Sequence, residues 1–263
     1  MLKKLLKYDI KYMFKSISIF YILSIFFAIL TRIIFSLNQT VMIDIIGQIS
    51  VGCMFAMIVN TLVNTIMRSW VRFKESIYKD ESYLTHTLPV TKNNIYNSKI
   101  IFTIVYLLVG MLVVVFSLFI AYYTKDRFII IRDFINNLIG NLNINTTYFI
   151  ISIILLLFLE ILNGIQSGFF GMIIGHKFNN NKTGLSVLFG FITYMCSQIF
   201  CIILLLIVGV FNKDIMLLFT SNNINNLSVL NTLIIFAISA YLLINIIIYL
   251  LSIKKINEGV NVD

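Results

Sequence analysis

Residues 100–124 read IIFTIVYLLVGMLVVVFSLFIAYYT, a run of twenty-five positions without one charge. About 20 mostly apolar residues suffice for a helix to cross about 30 Å of hydrocarbon, so this stretch is long enough to span. Outward from it, residues 45–67, 184–211 and 229–253 are equally free of charge, while 148–175 holds Glu160 alone and 18–37 holds Arg32 alone. The polar run 221–228, SNNINNLS, cannot sit in lipid and sets the start of the last span. Backbone in lipid must satisfy its polar groups internally, as a helix or a closed barrel. The alternating ten-residue segments of a barrel are missing. The predicted fold is therefore an all-α integral membrane protein, with residues 1–263 forming one transmembrane domain of six spans.

Composition agrees. Hydrophobic residues make up 59% and charged ones 12%, against roughly 25% charged in soluble domains. A water-facing surface cannot be built from this chain, and its single proline argues against disorder. The net charge of +9 is read by position, not as a nucleic-acid footprint. Of the twenty lysines and arginines, fifteen fall before span one, between spans two and three, between spans four and five, or after span six, and four fall in the opposite loops. Basic residues stay inside, so both termini are expected to be cytoplasmic, in an inner or plasma membrane. The first apolar run is too long for a secretion signal and lacks a small-residue cleavage pattern, which predicts a retained helix.

Residues 1–16 are amphipathic. Leu2, Leu5, Leu6, Ile10 and Met13 share one arc at helical spacing, and Lys3, Lys4, Lys7, Lys11 and Lys15 share the other. Such a helix is expected to lie in the anionic interface, and Lys4, Lys7, Lys11 and Lys15 are candidates for an interfacial lever. Asp9 falls on the apolar arc, where one reading pairs it with a base in a neighbouring loop.

The segment 68–99 is the longest expected on the cytoplasmic side. Its first part, 68–80, should prolong span two into water. Residues 82–88 then present Tyr83, Leu84 and Leu88 as apolar anchors. Pro89 ends the short helix, because it lacks an N–H and restricts the residue before it, and Thr91 is placed to cap span three.

Two stripes of small or polar residues run along spans. Span two carries Gly52, Ala56, Asn60 and Asn64; span four carries Glu160, Gly164, Gly168, Gly171 and Gly175. Small residues let membrane helices approach closely, so Gly52, Ala56 and the four glycines are expected to pack. Asn60, Asn64 and Glu160 are candidates for a transport path or gate, since an acid mid-span costs roughly 2.5–3.5 kcal/mol and must face protein or water. Arg32 is expected to snorkel at the outer interface. Cys53, Cys196 and Cys201 lie in apolar runs without metal-ligand spacing and read as packing residues. No phosphate loop, H-E-x-x-H or G-x-S-x-G pattern occurs. No catalytic residue, metal site or cofactor is expected in this chain.

Residues 79–101, KDESYLTHTLPVTKNNIYNSKII, carry a resemblance. They resemble the first cytoplasmic loop of ABC-2-type exporter permeases, in which a glutamate and a leucine precede an L-P-V-[ST] turn into span three; here these are Glu81, Leu84, Leu88, Pro89, Val90 and Thr91. The basic N-terminus and six spans extend the likeness over the chain. The resemblance implies a dimer of permeases, here expected to be a homodimer, bound to two copies of a separate ATPase subunit that holds ATP and Mg. It also implies a coupling helix through which Glu81, Tyr83, Leu84, Thr85, Leu88 and Pro89 engage that ATPase. The chain departs from the family pattern between spans five and six, where 212–228 is short for the two re-entrant half-helices that family members often carry. It looks like small Gram-positive permeases that expel lantibiotics, bacitracin-like peptides or phenol-soluble modulins. Apolar spans with few charges suit the same cargo, an amphipathic or hydrophobic peptide. Export of lipid or polysaccharide, a gradient-driven transporter or channel, and a membrane scaffold are the rival readings.

Overall fold

The structure, a computed structural model, describes residues 2–37, 40–79, 81–87, 89–123, 129, 133, 146–211, 216 and 228–259. Among them are seven helices and no strand: α1 (Leu2–Ser36), α2 (Val41–Ile77), α3 (Ser82–Thr87), α4 (Lys92–Tyr122), α5 (Thr146–Gly175), α6 (Lys182–Phe211) and α7 (Ser228–Asn257). All but α3 are long and apolar enough to cross a membrane, six in number, as in a multi-pass membrane protein. Each expected span lies within one of them to within two residues at its ends. Residues 125–147, amphipathic enough in sequence for a surface helix, the short apolar run 215–219 and Leu88 fall largely or wholly outside the described residues.

Leu2–Ser36 is one uninterrupted helix of 35 residues. It holds no glycine or proline, so nothing breaks it where an interfacial segment would hinge away from the span. Its lysines at 4, 7, 11 and 15 are exposed. Its apolar arc is not left bare: Met13 and Ile17 are fully buried against Phe102 and Tyr106, with Leu6 at the margin. Protein of the first unit covers that part of its apolar side.

The chain divides into two compact units. The first comprises Met1–Phe73 and Leu88–Arg132, and the second Lys74–Thr87 and Asp133–Asp263. In the first unit, α1, α2 and α4 are joined by two apolar clusters, around Met13–Ile17–Phe102–Tyr106 and around Ala28–Met54–Ile58–Ala121. Hydroxyls stitch the seams: Ser24 with Ser117 at 2.9 Å and Thr31 with Ser50 at 2.8 Å. In an apolar medium such pairs satisfy groups that have no water to turn to. Tyr106 Oη donates to the Ile10 carbonyl at 2.6 Å, fastening α4 to α1.

Along α2 the buried positions are Gly47, Ser50, Met54, Ile58, Thr61, Thr65, Ser69, Arg72, Phe73, Ser76 and Ile77. Gly52 and Ala56 stand two residues from Ser50 and Met54, about 200° around the helix. They are exposed, and a Cβ on Gly52 would meet nothing within 4 Å. The close approach expected at Gly52 and Ala56 is therefore not made among the described residues of the first unit.

In the second unit α5 packs on α6 through its glycines. A Cβ on Gly171 would overlap the backbone of Gly190, and one on Gly175 the backbone of Ser186. A Cβ on Gly190 would lie 3.4 Å from the Cα of Gly168. Gly168, Gly171 and Gly175 lie along this seam opposite Gly190 and Ser186, which sequence inspection had not named. Gly164 is the correction: nothing stands within 4 Å of a Cβ there. The α5–α6 seam is tight at Gly171 and Gly175, whereas among the described residues nothing covers Gly164.

Thr91 accepts a hydrogen bond from the Asn94 amide and is extended, φ −66° and ψ 146°, as an N-cap of α4 should be. Thr91→Ala is expected to lower stability by about 1 kcal/mol, readable as a small drop in melting temperature in detergent with the fold otherwise intact.

Candidate functional site

Two groups of side chains stand apart from ordinary packing. The first is the α2–α3 corner of the second unit. α2 ends at Ile77, and Ile77 and Tyr78 are both buried, 1% exposed. The Tyr78 ring stacks on His176 with centroids 4.0 Å apart and planes 22° from parallel. His176 follows the last residue of α5 and is itself buried, with Nδ1 2.9 Å from the Met172 carbonyl and 3.2 Å from Ser186 Oγ on α6. Nearby, Lys74 Nζ donates to Thr183 Oγ1 at 2.8 Å. The end of α2 is thus wedged into the junction of α5 and α6. Glu258, just past α7, binds Lys177 and Lys255. Its carboxyl is held down at about 2, first by the Lys177 hydrogen bond and then by Lys255.

From that anchored corner α3 projects. Ser82 is buried, whereas Tyr83 is 66% and Leu84 74% exposed. Thr85 is half-buried, its hydroxyl donating to the Glu81 carbonyl at 2.9 Å. Glu81 is exposed, and so is Pro89, which lies beyond the end of α3. An exposed apolar pair on a six-residue helix with a buried root is a surface held out rigidly. Sequence reasoning found the anchors; it missed Tyr78 and His176. The signal was available in kind, as two aromatic rings beside predicted helix ends, but nothing in the spacing says that they meet.

The second group is a polar layer inside α5, α6 and α7. Ser197 Oγ donates to Asn163 Oδ1 at 2.8 Å. Tyr241 Oη donates to Gln198 Oε1 at 3.0 Å. Asn245 Nδ2 donates to the Leu159 carbonyl at 3.1 Å. Glu160 is half-buried in this layer, close enough to act electrostatically on Tyr194, Cys201 and Tyr241. Asn60 and Asn64 belong to the first unit. There Asn64 Nδ2 donates to the Asn60 carbonyl at 2.9 Å and to its side-chain oxygen, so the pair is satisfied along its own helix.

A third feature, in the first unit, was glimpsed in sequence. Asp9, 1% exposed, is bound by Arg72 Nε at 2.8 Å and by Lys99 Nζ at 2.7 and 2.8 Å. Arg72 also lies over the Tyr12 ring, 4.4 Å from its centre. Both partners lie in the segment 68–99 between spans two and three, Arg72 where α2 runs into it and Lys99 where α4 leaves it. The three cysteines are unpaired, and among the described residues no cluster of His, Cys, Asp and Glu could hold a metal.

No protein-family model, curated protein or solved structure matches the chain. The class that the geometry defines is that of a multi-pass helical membrane protein.

Proposed function

We propose that this chain is the permease subunit of an ATP-driven exporter of the ABC-2 type, set in a cell inner or plasma membrane with both termini cytoplasmic. ATP and Mg then belong to a separate ATPase subunit, bound in two copies by a dimer of permeases. The observation that carries the reading is α3: Tyr83 and Leu84 stand exposed while the preceding Ile77–Tyr78 is buried against the α5–α6 junction. A motor that displaces α3 would therefore move α5 and α6 with it, because the buried root leaves little slack. The resemblance of residues 79–101 to a coupling loop points the same way. The exposed lysines of α1, above an apolar groove formed with Leu6, Ile10 and Phe14, suit contact with anionic lipid.

A gradient-driven transporter is favoured less. Such proteins bind their ions at broken helices, and the six long helices described are continuous. Export of lipid or polysaccharide remains the alternative cargo for the same machine; the polar layer around Glu160 favours a peptide.

The test is ATP hydrolysis by the complex purified through a tag on this chain. Leu84→Asp is expected to lower co-purifying ATPase activity by tenfold or more, as loss of an interface anchor worth about 2 kcal/mol or above would do, without reducing membrane insertion. Unchanged ATPase association in both Leu84→Asp and Tyr83→Asp would refute the coupling role.

A further inference from the structure

The layer around Glu160 holds more hydrogen-bonding capacity than it uses. Asn163 is fully buried and Asn245 is 5% exposed. Among the described residues, Asn163 Nδ2, Gln198 Nε2 and Asn245 Oδ1 are buried without a partner, although the other end of each amide is engaged. Turning an amide over exchanges its two ends and leaves one of them unsatisfied still. Leaving such groups unpaired in a low-dielectric interior is costly, so three amides from three helices in one layer point to a visitor.

Charge says what kind. No lysine or arginine occurs in 148–175, 184–211 or 229–253. Among the described residues Glu160 makes no ion pair. A cation able to pair with it would have to come from outside these spans. There is room for it: Gly164 is one turn from Glu160 on the same face of α5, and among the described residues nothing stands within 4 Å of where its Cβ would be. Tyr241 belongs to the same layer through its bond to Gln198, and an aromatic face attracts a desolvated cation.

We infer that the Glu160 layer is a binding site for a membrane-partitioned organic cation carrying amide groups, a lysine-type ammonium on an amphipathic peptide segment. Glu160 takes the ammonium. Asn163, Gln198 and Asn245 take the neighbouring peptide carbonyls and amides. The inference rests on the exporter reading for its direction of travel, and it names the part of the cargo that is recognised.

The experiment uses the full chain in lipid nanodiscs and two fluorescent probes: an amphipathic peptide of leucine and alanine with a single lysine, and the same peptide with that lysine acetylated. The lysine peptide is expected to bind about tenfold more tightly than its acetylated form, the worth of one charge-assisted bond. Glu160→Gln, nearly isosteric, should abolish that difference, and Gln198→Leu should weaken both peptides alike. On the unaltered protein, a long-chain alkylammonium should displace the lysine peptide and the alcohol of equal length should not. Equal binding of the two peptides to the unaltered protein overturns the inference. So does equal weakening of both by Glu160→Gln, or displacement of the lysine peptide by sodium as readily as by the alkylammonium. These results are independent of the ATPase: losing the partner of α3 would remove the exporter reading and leave the peptide difference standing, and the reverse holds.

Discussion

Replacing Asp9 with asparagine is expected to cost about 3–5 kcal/mol, the usual penalty for breaking a buried ion pair from one side. The carboxylate is almost completely enclosed and is shared by Arg72 and Lys99, which are 7% and 3% exposed. Two cations brought together on α2 and α4 repel each other once the carboxylate between them is neutralised, and the low local dielectric amplifies that repulsion. The loss should appear as a large fall in melting temperature in detergent, followed by the fluorescence of Trp70. A second variant separates charge from packing. Asp9→Leu combined with Arg72→Met and Lys99→Met removes all three charges while keeping apolar volume, and such replacements are often neutral or stabilising. The triple variant should therefore melt well above the single one. An Asp9→Asn protein as stable as the unaltered chain would mean that water reaches the network, and that the apolar clusters and hydroxyl contacts suffice to hold α1.

How much of this was legible beforehand differs by kind of interaction. The spans were legible because hydropathy in a bilayer is a sum over about 20 residues; neither Arg32 nor Glu160 could hide one. The corner at Pro89 and the cap at Thr91 were legible because both act through the backbone within a few residues. Asp9 announced itself as a charge on the wrong arc, yet its partners lie 63 and 90 residues away, and no local pattern selects Arg72 and Lys99 from twenty bases. The stripes show the limit most clearly. Gly52–Ala56 and Gly168–Gly171–Gly175 read alike as small residues on membrane helices, but only the second meets another helix of this chain. Which face of a helix is turned inward depends on the helix opposite. On α2 the answer lay with Ser50, Thr61, Thr65 and Ser69, whose hydroxyls bond preceding carbonyls or neighbouring helices. The Glu160 layer was visible as a lone acid, while its amide partners were scattered over three spans as ordinary polar residues.

Gly171→Leu is the second large effect expected, and its contrast with Gly52→Leu tests the packing directly. On Gly171 even the first carbon of a side chain would overlap Gly190 N and Cα, which are backbone and cannot swing aside. Accommodation requires α5 and α6 to separate along their tightest contact. Overpacking costs typically about 1–3 kcal/mol when side chains can yield, so a clash against backbone belongs at or above the top of that range. The same leucine at Gly164 meets open space, and trading glycine for a good helix former favours the helix by up to about 1 kcal/mol. Melting curves in detergent should thus show Gly171→Leu strongly destabilised, and Gly164→Leu and Gly52→Leu close to the unaltered protein. The outcome at Gly52 separates two causes that the small-residue stripe conflates. If the purified single chain melts normally with Gly52→Leu but no longer pairs in the membrane, then a second copy packs against the exposed face of α2. If pairing is also unaffected, that face meets lipid, and its small residues carry no packing role.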